Sequence, residues 1–232
     1  MGSRRAFGFA DRRRPRRSLA AIVLLLAGMS ATPICAAEGA TPSLDAPELA
    51  QGPFAAAHML LEKTIFGIRV ADIDVRFDRP AQSRFAELSR DQPYSEALEG
   101  RLAAVAIGAG HAVVQMSFLR DIPFHRWLGG VRDNLGQARA AGLITAQTER
   151  RVGDGIPDLF AAIRERGYEK GDRLIYAVTP EALRTVVVSA DGRVLVDASD
   201  GDPGVRRVVL ASFFAPQSDS RQPLLRALVG GR

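Results

Sequence analysis

Three closely spaced segments decide the fold of this chain: VVQMSFLRDIPFHRWLGGVRDNL (113–135), YEKGDRLIYAV (168–178) and LRTVVVSADGRVLVD (183–197). The first opens as an apolar strand that ends in Phe118-Leu119-Arg120. An amphipathic helix follows, because Phe124, Trp127, Leu128, Val131, Leu135 and Ala138 recur at helical spacing. Asp121 is placed to cap it, with Pro123 in its first turn. Gly129-Gly130 inside the helix costs about 1 kcal/mol per residue relative to alanine, which implies close packing against a neighbour. In the second segment Lys170-Gly171-Asp172 turns the chain into a strand apolar on both faces. In the third, Asp191-Gly192 between two β-branched runs marks a hairpin.

Working outward, LLEKTIFGIRVADIDVRF (60–77) changes its apolar face midway and is expected to be a strand with a bulge or bend, leaving Asp72, Asp74 and Arg76 on the more exposed side. SEALEGRLAAVAI (95–107) fits a helix ended by Gly108-Ala109-Gly110. Thr145 can cap the next helix, which should break near Gly153-Asp154-Gly155, resume at Pro157 with Leu159, Phe160 and Ile163 inward, and end at Gly167. Pro203-Gly204 introduces a helix through Phe214, Pro216 stops it, and a last helix covers about 222–229. Strands cluster with hairpin connections and helices come in runs, so an α+β layer architecture is expected.

The amino-terminal residues obey different rules. Seven arginines between Arg4 and Arg17 precede an apolar run from Leu19 to Met29, and small residues lead to Cys35-Ala36-Ala37. This is the pattern of a secretory signal, since the run falls short of the roughly 20 residues that span a bilayer. A twin-arginine variant, a lipid anchor on Cys35 and an uncleaved anchor are the competing readings. The expected organisation is a signal peptide (1–37), a flexible segment rich in Pro, Ala and Gly (38–57) and one domain (58–232), exported to the periplasm or secreted. The whole chain carries 31 basic and 26 acidic residues, a net charge of +5. The leader holds seven of the arginines and Asp11, which leaves 24 basic against 25 acidic residues. The basic character therefore belongs to the leader and argues against a nucleic-acid surface. The single cysteine also lies there, leaving no disulfide or thiolate ligand.

In order and spacing, FGIRVADIDVRF (66–77), SFLRDIPFHRWLGGVRDNL (117–135), YEKGDRLIYAV, the VVVSADGRVL hairpin and DPGVRRVVLASFFAPQ (202–217) before LLRALVG (224–230) resemble the chalcone isomerase-like family, in its bacterial, signal-bearing branch. The resemblance implies an open-faced β-sandwich, an antiparallel sheet covered by a layer of helices with a ligand cleft between them. Plant members of that family cyclise chalcones, while other relatives bind fatty acids without catalysis, holding the carboxylate with an arginine and a tyrosine. Transferred to this sequence, the family arginine falls at Lys63, which keeps the charge but loses the bidentate fork. Phe124 and Trp127 stand in the region of the family's polar Tyr, Lys and Asn cluster, and its hydroxyl residue before the Pro-Gly turn falls near Gly201. Chalcone cyclisation is therefore not expected.

The function expected from the residues and the resemblance together is non-catalytic binding of a fatty acid or similar amphiphile. Lys63, Arg69 and Arg120 are the candidate anion partners, and Phe124 and Trp127 either line the cleft or anchor the core. An intramolecular lyase or isomerase using Lys63 or Arg69, and an accessory protein without a small ligand, are the alternatives. No cofactor and no metal are expected, since His58, His111 and His125 show no ligand spacing. Asp72 and Asp74 alternate on one strand face without a catalytic partner in sequence. Ser117 and Ser189 lack a nucleophile elbow, and the glycine pairs match no nucleotide loop. Beyond an amphiphilic small molecule no partner is indicated, no membrane span is expected after signal cleavage, and the oligomeric state stays open.

Overall fold

The computed structural model describes residues 54–63 and 68–230, without the side chains of residues 63 and 68. The expected signal peptide and most of the segment after it lie outside the described residues. Six strands cross one antiparallel sheet in sequence order: β1 (Ala55–Lys63), β2 (Ile68–Phe77), β3 (Ala112–Phe118), β4 (Arg173–Val178), β5 (Leu183–Val188) and β6 (Val194–Asp200). Six helices accompany them: α1 (Arg79–Leu88), α2 (Glu96–Ile107), α3 (Phe124–Ala140), α4 (Ala146–Leu159), α5 (Pro203–Phe214) and α6 (Arg221–Gly230). The architecture is α+β, an open antiparallel sheet with a helix layer on one face.

The alternation of side chains along each strand separates the two faces. Met59, Ile73, Met116, Leu174, Val187 and Val196 form one transverse row toward the helices. His58, Asp74, Gln115, Ile175, Val186 and Asp197 form the adjacent row on the outer face. Helix α6 lies along β1, and α5 sits centrally against α2, α3, α4 and β4. That position explains a helix apolar on most of its circumference, with Val205, Val208, Val209, Leu210, Ala211 and Phe214 buried. The helix-facing core has two parts. One gathers Phe77, Phe85, Leu102 and Phe214, and the other Phe118, Trp127, Phe160 and Tyr168.

The local signals act largely as their chemistry dictates. Ser95 caps α2 through Leu98 N at 3.3 Å, and Thr145 caps α4 through Thr148 N at 3.0 Å. Gly192 in the hairpin has φ +89°. Gly167 ends the helical run at φ +72°, where a Cβ would lie 2.4 Å from the Ile122 carbonyl oxygen, so only glycine fits against the Ile122–Tyr168 bridge.

Several expectations are corrected. The 60–77 segment is a hairpin of two strands rather than one. Its bulge is real: Leu61 pairs with Ala71 and Glu62 with Arg69, leaving Val70 as the extra residue that shifts the apolar parity. Strand β1 also takes up Ala55–Ala57, residues placed ahead of the domain by the sequence reading. Asp121 does not cap α3, which starts after Pro123 with no side-chain cap; its carboxylate accepts from Lys170 N at 2.8 Å instead. Gly129 and Gly130 face solvent, and a Cβ on either would meet nothing within 4 Å. Helix α4 runs unbroken through Gly153–Gly155 and contains Pro157 near its end. Phe160 and Ile163 are buried as expected, whereas Leu159 is exposed. Helix α1 carries no strong apolar signal; Asp78 starts it by accepting from Ala81 N at 2.9 Å, while its other oxygen accepts from His111 N at 2.9 Å.

Candidate ligand-binding site

The end of the sheet where β4 hands over to β5 carries a pocket with a cation on its wall. The Thr179 hydroxyl oxygen holds that turn, accepting from Glu181 N at 3.2 Å and Ala182 N at 3.1 Å. The first turn of α5, the Gly108–Gly110 loop after α2 and the loop between α3 and α4 approach it and line a pocket of about 580 Å³ that is open to solvent on one side. That size suits a drug-sized or acyl ligand. Ile107, Leu143, Ile144, Val178 and Leu210 supply apolar wall, and Thr148, Thr179, Arg206 and Arg207 supply the polar groups.

Arg206 is the distinctive residue of this pocket. It sits one turn before Leu210 on the central apolar helix, and one terminal nitrogen donates to the Thr179 carbonyl oxygen at 3.4 Å. Its Nε is enclosed and has no hydrogen-bond partner. An enclosed donor on a cation is costly to leave unpaired, and an anion is the natural acceptor. The amide groups at the start of α5 do not compete for that anion. Asp202 already accepts from Gly204 N at 2.7 Å and Val205 N at 3.2 Å, and Arg151 bridges Asp202 to Asp200. Those bonds, the Gly204 amide first, hold the Asp202 carboxyl below its ordinary range.

Inward from the pocket mouth, Tyr176 follows Val178 on the same strand face, and Val152 follows Thr148 by one helical turn. Tyr176, Val152 and Met116 each pack against both parts of the core, and each keeps some uncovered surface. The Tyr168 hydroxyl is buried in the same interior without a partner. Burial pushes the Tyr168 phenol well above its ordinary value and pushes Tyr176 up as well. Tyr94, hydrogen-bonded to Glu99 at 3.0 Å, is raised to about 12, chiefly by burial. All three tyrosines of the chain are thus harder to ionise folded than unfolded. The unfolded chain begins to lose phenolic protons near pH 10 while the folded one retains them, so stability is intact below pH 10 and falls above it. For the two interior tyrosines the slope approaches about 3 kcal/mol per pH unit. Absorbance at 295 nm should show little tyrosinate until the far-ultraviolet circular dichroism is lost, when all three ionise together. A smooth titration near pH 10 in the folded protein would contradict this burial.

The residues expected to form the site are not brought together. Lys63 ends β1 opposite Ile68, and its side chain lies outside the described residues. Arg69 is exposed and faces Glu62 at 3.8 Å on the β1–β2 hairpin. Arg120 is exposed beyond the end of β3. Phe124 and Trp127 are core residues: Trp127 contacts the rings of Phe124, Phe160 and Tyr168 at centroid distances of 5.6, 4.7 and 5.3 Å. None of the four described in full lines the pocket. Asp72 and Asp74 do have a histidine beside them, across the strand pair: His58 lies 3.0 Å from Asp74 and 3.8 Å from Asp72, on the exposed outer face. Among the described residues no cluster of three or more His, Cys, Asp or Glu could hold a metal ion. Arg206 was missed because the resemblance drew attention to other positions. Its sequence signal is the Arg206-Arg207 pair in an otherwise apolar helix.

No family model matches the sequence, and no curated protein does. Among solved structures, the crystal structure of a fatty-acid binding protein from Arabidopsis thaliana is similar with a TM-score of 0.51 and 12% identity, over 75% of this chain and 89% of that one. The fold is chalcone isomerase-like. At this identity the likeness speaks for the fold and for no individual residue. No helix among the described residues is long and apolar enough to cross a membrane.

Proposed function

We propose that this protein is an exported, non-catalytic carrier or sequestering protein of the bacterial chalcone isomerase-like branch, which binds an acyl-chain carboxylate with its head on Arg206. The observation that carries the reading is the enclosed, unpartnered Nε of Arg206 in a pocket whose apolar wall is Leu143, Ile144, Val178 and Leu210 and whose other polar groups are Thr148, Thr179 and Arg207. A carboxylate there would accept from the guanidinium, while the alkyl chain follows the apolar wall inward toward Val152 and Tyr176. The fatty-acid binding function of the Arabidopsis protein with a similar fold supports the ligand class. The pocket lining contains no carboxylate, imidazole or thiol to move a proton, which favours binding over turnover. The arginine-rich leader and its apolar run support export.

Delipidated protein titrated with dodecanoate and hexadecanoate by calorimetry is the test. Removing one charge-assisted hydrogen bond is worth about 1.5–3 kcal/mol, so Arg206→Leu should weaken carboxylate binding by about 10- to 100-fold. The alcohols of the same chain length should bind more weakly and be nearly indifferent to Arg206→Leu. Failure of both carboxylates to bind, or equal affinity of the Arg206→Leu variant, would overturn the reading.

A further inference from the structure

The interior behind the Arg206 pocket keeps a hydrogen-bond donor that the fold does not use. Tyr168 is fully buried, yet its hydroxyl has no partner. Its ring is fixed by stacking on Phe118 at 4.0 Å and by an edge contact with Trp127 at 5.3 Å, so the hydroxyl has no rotation that reaches water. Asp172 is the buried carboxylate whose charge acts on it. Both oxygens of Asp172 are already taken, by Arg166 and by the amides of Glu169 and Ala190. A buried donor left unmade is a standing cost to stability, and phenylalanine would fill the same space without that cost.

The protein does not fill the space beside that hydroxyl. On the helix-facing row Met116 lies between Ile73 and Leu174, which are exposed by 1% and 0%, and yet Met116 itself keeps accessible surface. Tyr176 stands one same-face step toward the pocket from the Met116–Leu174 pair. Phe118, with Tyr168 stacked on it, stands one step the other way. Charge on Tyr176 acts on Tyr168, so the two phenols share the space above Met116 from opposite sides. Tyr176 also keeps accessible surface, and no hydrogen bond from the described residues reaches its hydroxyl. Val178, the next same-face residue along β4, lines the Arg206 pocket. The Met116 level therefore lies about 13 Å inward from Val178 along the sheet.

We propose that the Tyr168 and Tyr176 hydroxyls form a second polar subsite, which selects acyl chains carrying a mid-chain oxygen, a hydroxyl or a ketone, over plain saturated chains. The inference rests on the acyl-chain reading of the Arg206 pocket and adds a source of chain specificity to it. A phenol donates to either oxygen function and also accepts from a hydroxyl. A methylene at the same place leaves both donors unmade, and a site built to hydrogen-bond a ligand oxygen discriminates against the analogue that lacks it. A chain with its carboxylate on Arg206 passes Met116 partway along its length, so the preferred oxygen sits mid-chain and not at the far end.

The test is calorimetry of the delipidated protein with hexadecanoate, 10-hydroxyhexadecanoate and 10-oxohexadecanoate. Both oxygenated chains should bind about 3- to 10-fold more tightly than hexadecanoate. Tyr168→Phe should remove most of that preference and Tyr176→Phe part of it, by weakening the oxygenated chains alone. Arg206→Leu should instead weaken all three chains by a similar factor and keep the preference. A readout without ligand comes from urea denaturation, where the midpoint of Tyr168→Phe should equal or exceed that of the parent chain. Equal binding of the three chains to the parent overturns the subsite and leaves the Arg206 reading standing, as does a preference that survives Tyr168→Phe. A Tyr168→Phe midpoint clearly below the parent's also overturns it, because a bound water then satisfies the hydroxyl. A preference kept by a protein indifferent to Arg206→Leu sinks the head-group assignment alone, and failure of all three chains to bind sinks both.

Discussion

Replacing Asp172 by alanine should cost the protein about 3–5 kcal/mol, the range for breaking a buried charge pair from one side. The side chain is fully buried, and both of its oxygens are used. One accepts from Arg166 at 2.8 Å and from Glu169 N at 2.9 Å, and the other from Arg166 at 3.3 Å and from Ala190 N at 3.2 Å. Glu169 and Asp172 together raise the Arg166 guanidinium above its already high ordinary value, so it stays charged, and without Asp172 it would keep only the half-exposed Glu169 at 2.7 Å. The amide groups of Glu169 and Ala190 would lose their acceptor as well. These bonds hold three separate pieces: the turn into β4, Arg166 in the segment before it, and the β5–β6 hairpin. Gly171 completes the arrangement at φ +93°, where a Cβ would lie 2.9 Å from that of Ala190. Urea denaturation is the measurement, with the midpoint falling at unchanged slope. A loss under about 1 kcal/mol would show that the carboxylate is not the knot described here. Asp172→Asn, which retains an acceptor oxygen, should lose distinctly less.

Trp127→Ala should be comparably destabilising, about 3–5 kcal/mol, because it empties the middle of a ring cluster formed with Phe124, Phe160 and Tyr168. The informative part is what should not change. Trp127 lies in the second part of the core and not in the pocket lining, so the fraction that remains folded at low temperature should bind dodecanoate within a few-fold of the parent chain. Arg206→Leu should show the reverse pattern, with stability nearly kept and affinity lost. Equal losses of affinity in both variants would return Trp127 to the ligand-lining role that its place in the sequence suggests.

The parts of the fold written in short-range chemistry were legible from the chain alone. Ser95, Thr145 and Asp191-Gly192 act within three or four residues of themselves, so their spacing suffices to place a cap or a hairpin. Gly167 could be read as a helix end for the same reason. Asp121 looked equally local and was not: its carboxylate found the Lys170 amide, 49 positions away, because the Ile122–Tyr168 bridge brings those turns together. The β1–β2 hairpin was concealed because a bulge at Val70 and a turn both shift the apolar parity, and sequence shows only the shift. Gly129-Gly130 suggested close packing, yet which side of α3 meets solvent depends on where Trp127 and Leu135 are buried.

What the sequence determined by itself is the α+β layering and most of the element order, since these rest on periodicity, caps and turns that need no distant partner; the scaffold was implied by the family resemblance. The Arg206 pocket was decided only by the tertiary structure. A pocket is the space that packed elements fail to fill, and Arg206 becomes distinctive only when α5, the 179–182 turn and the 143–145 loop enclose its Nε without supplying an acceptor. The same holds for Val186 and Val188: their sequence makes a strand, and only assembly shows that both faces of that strand are dry.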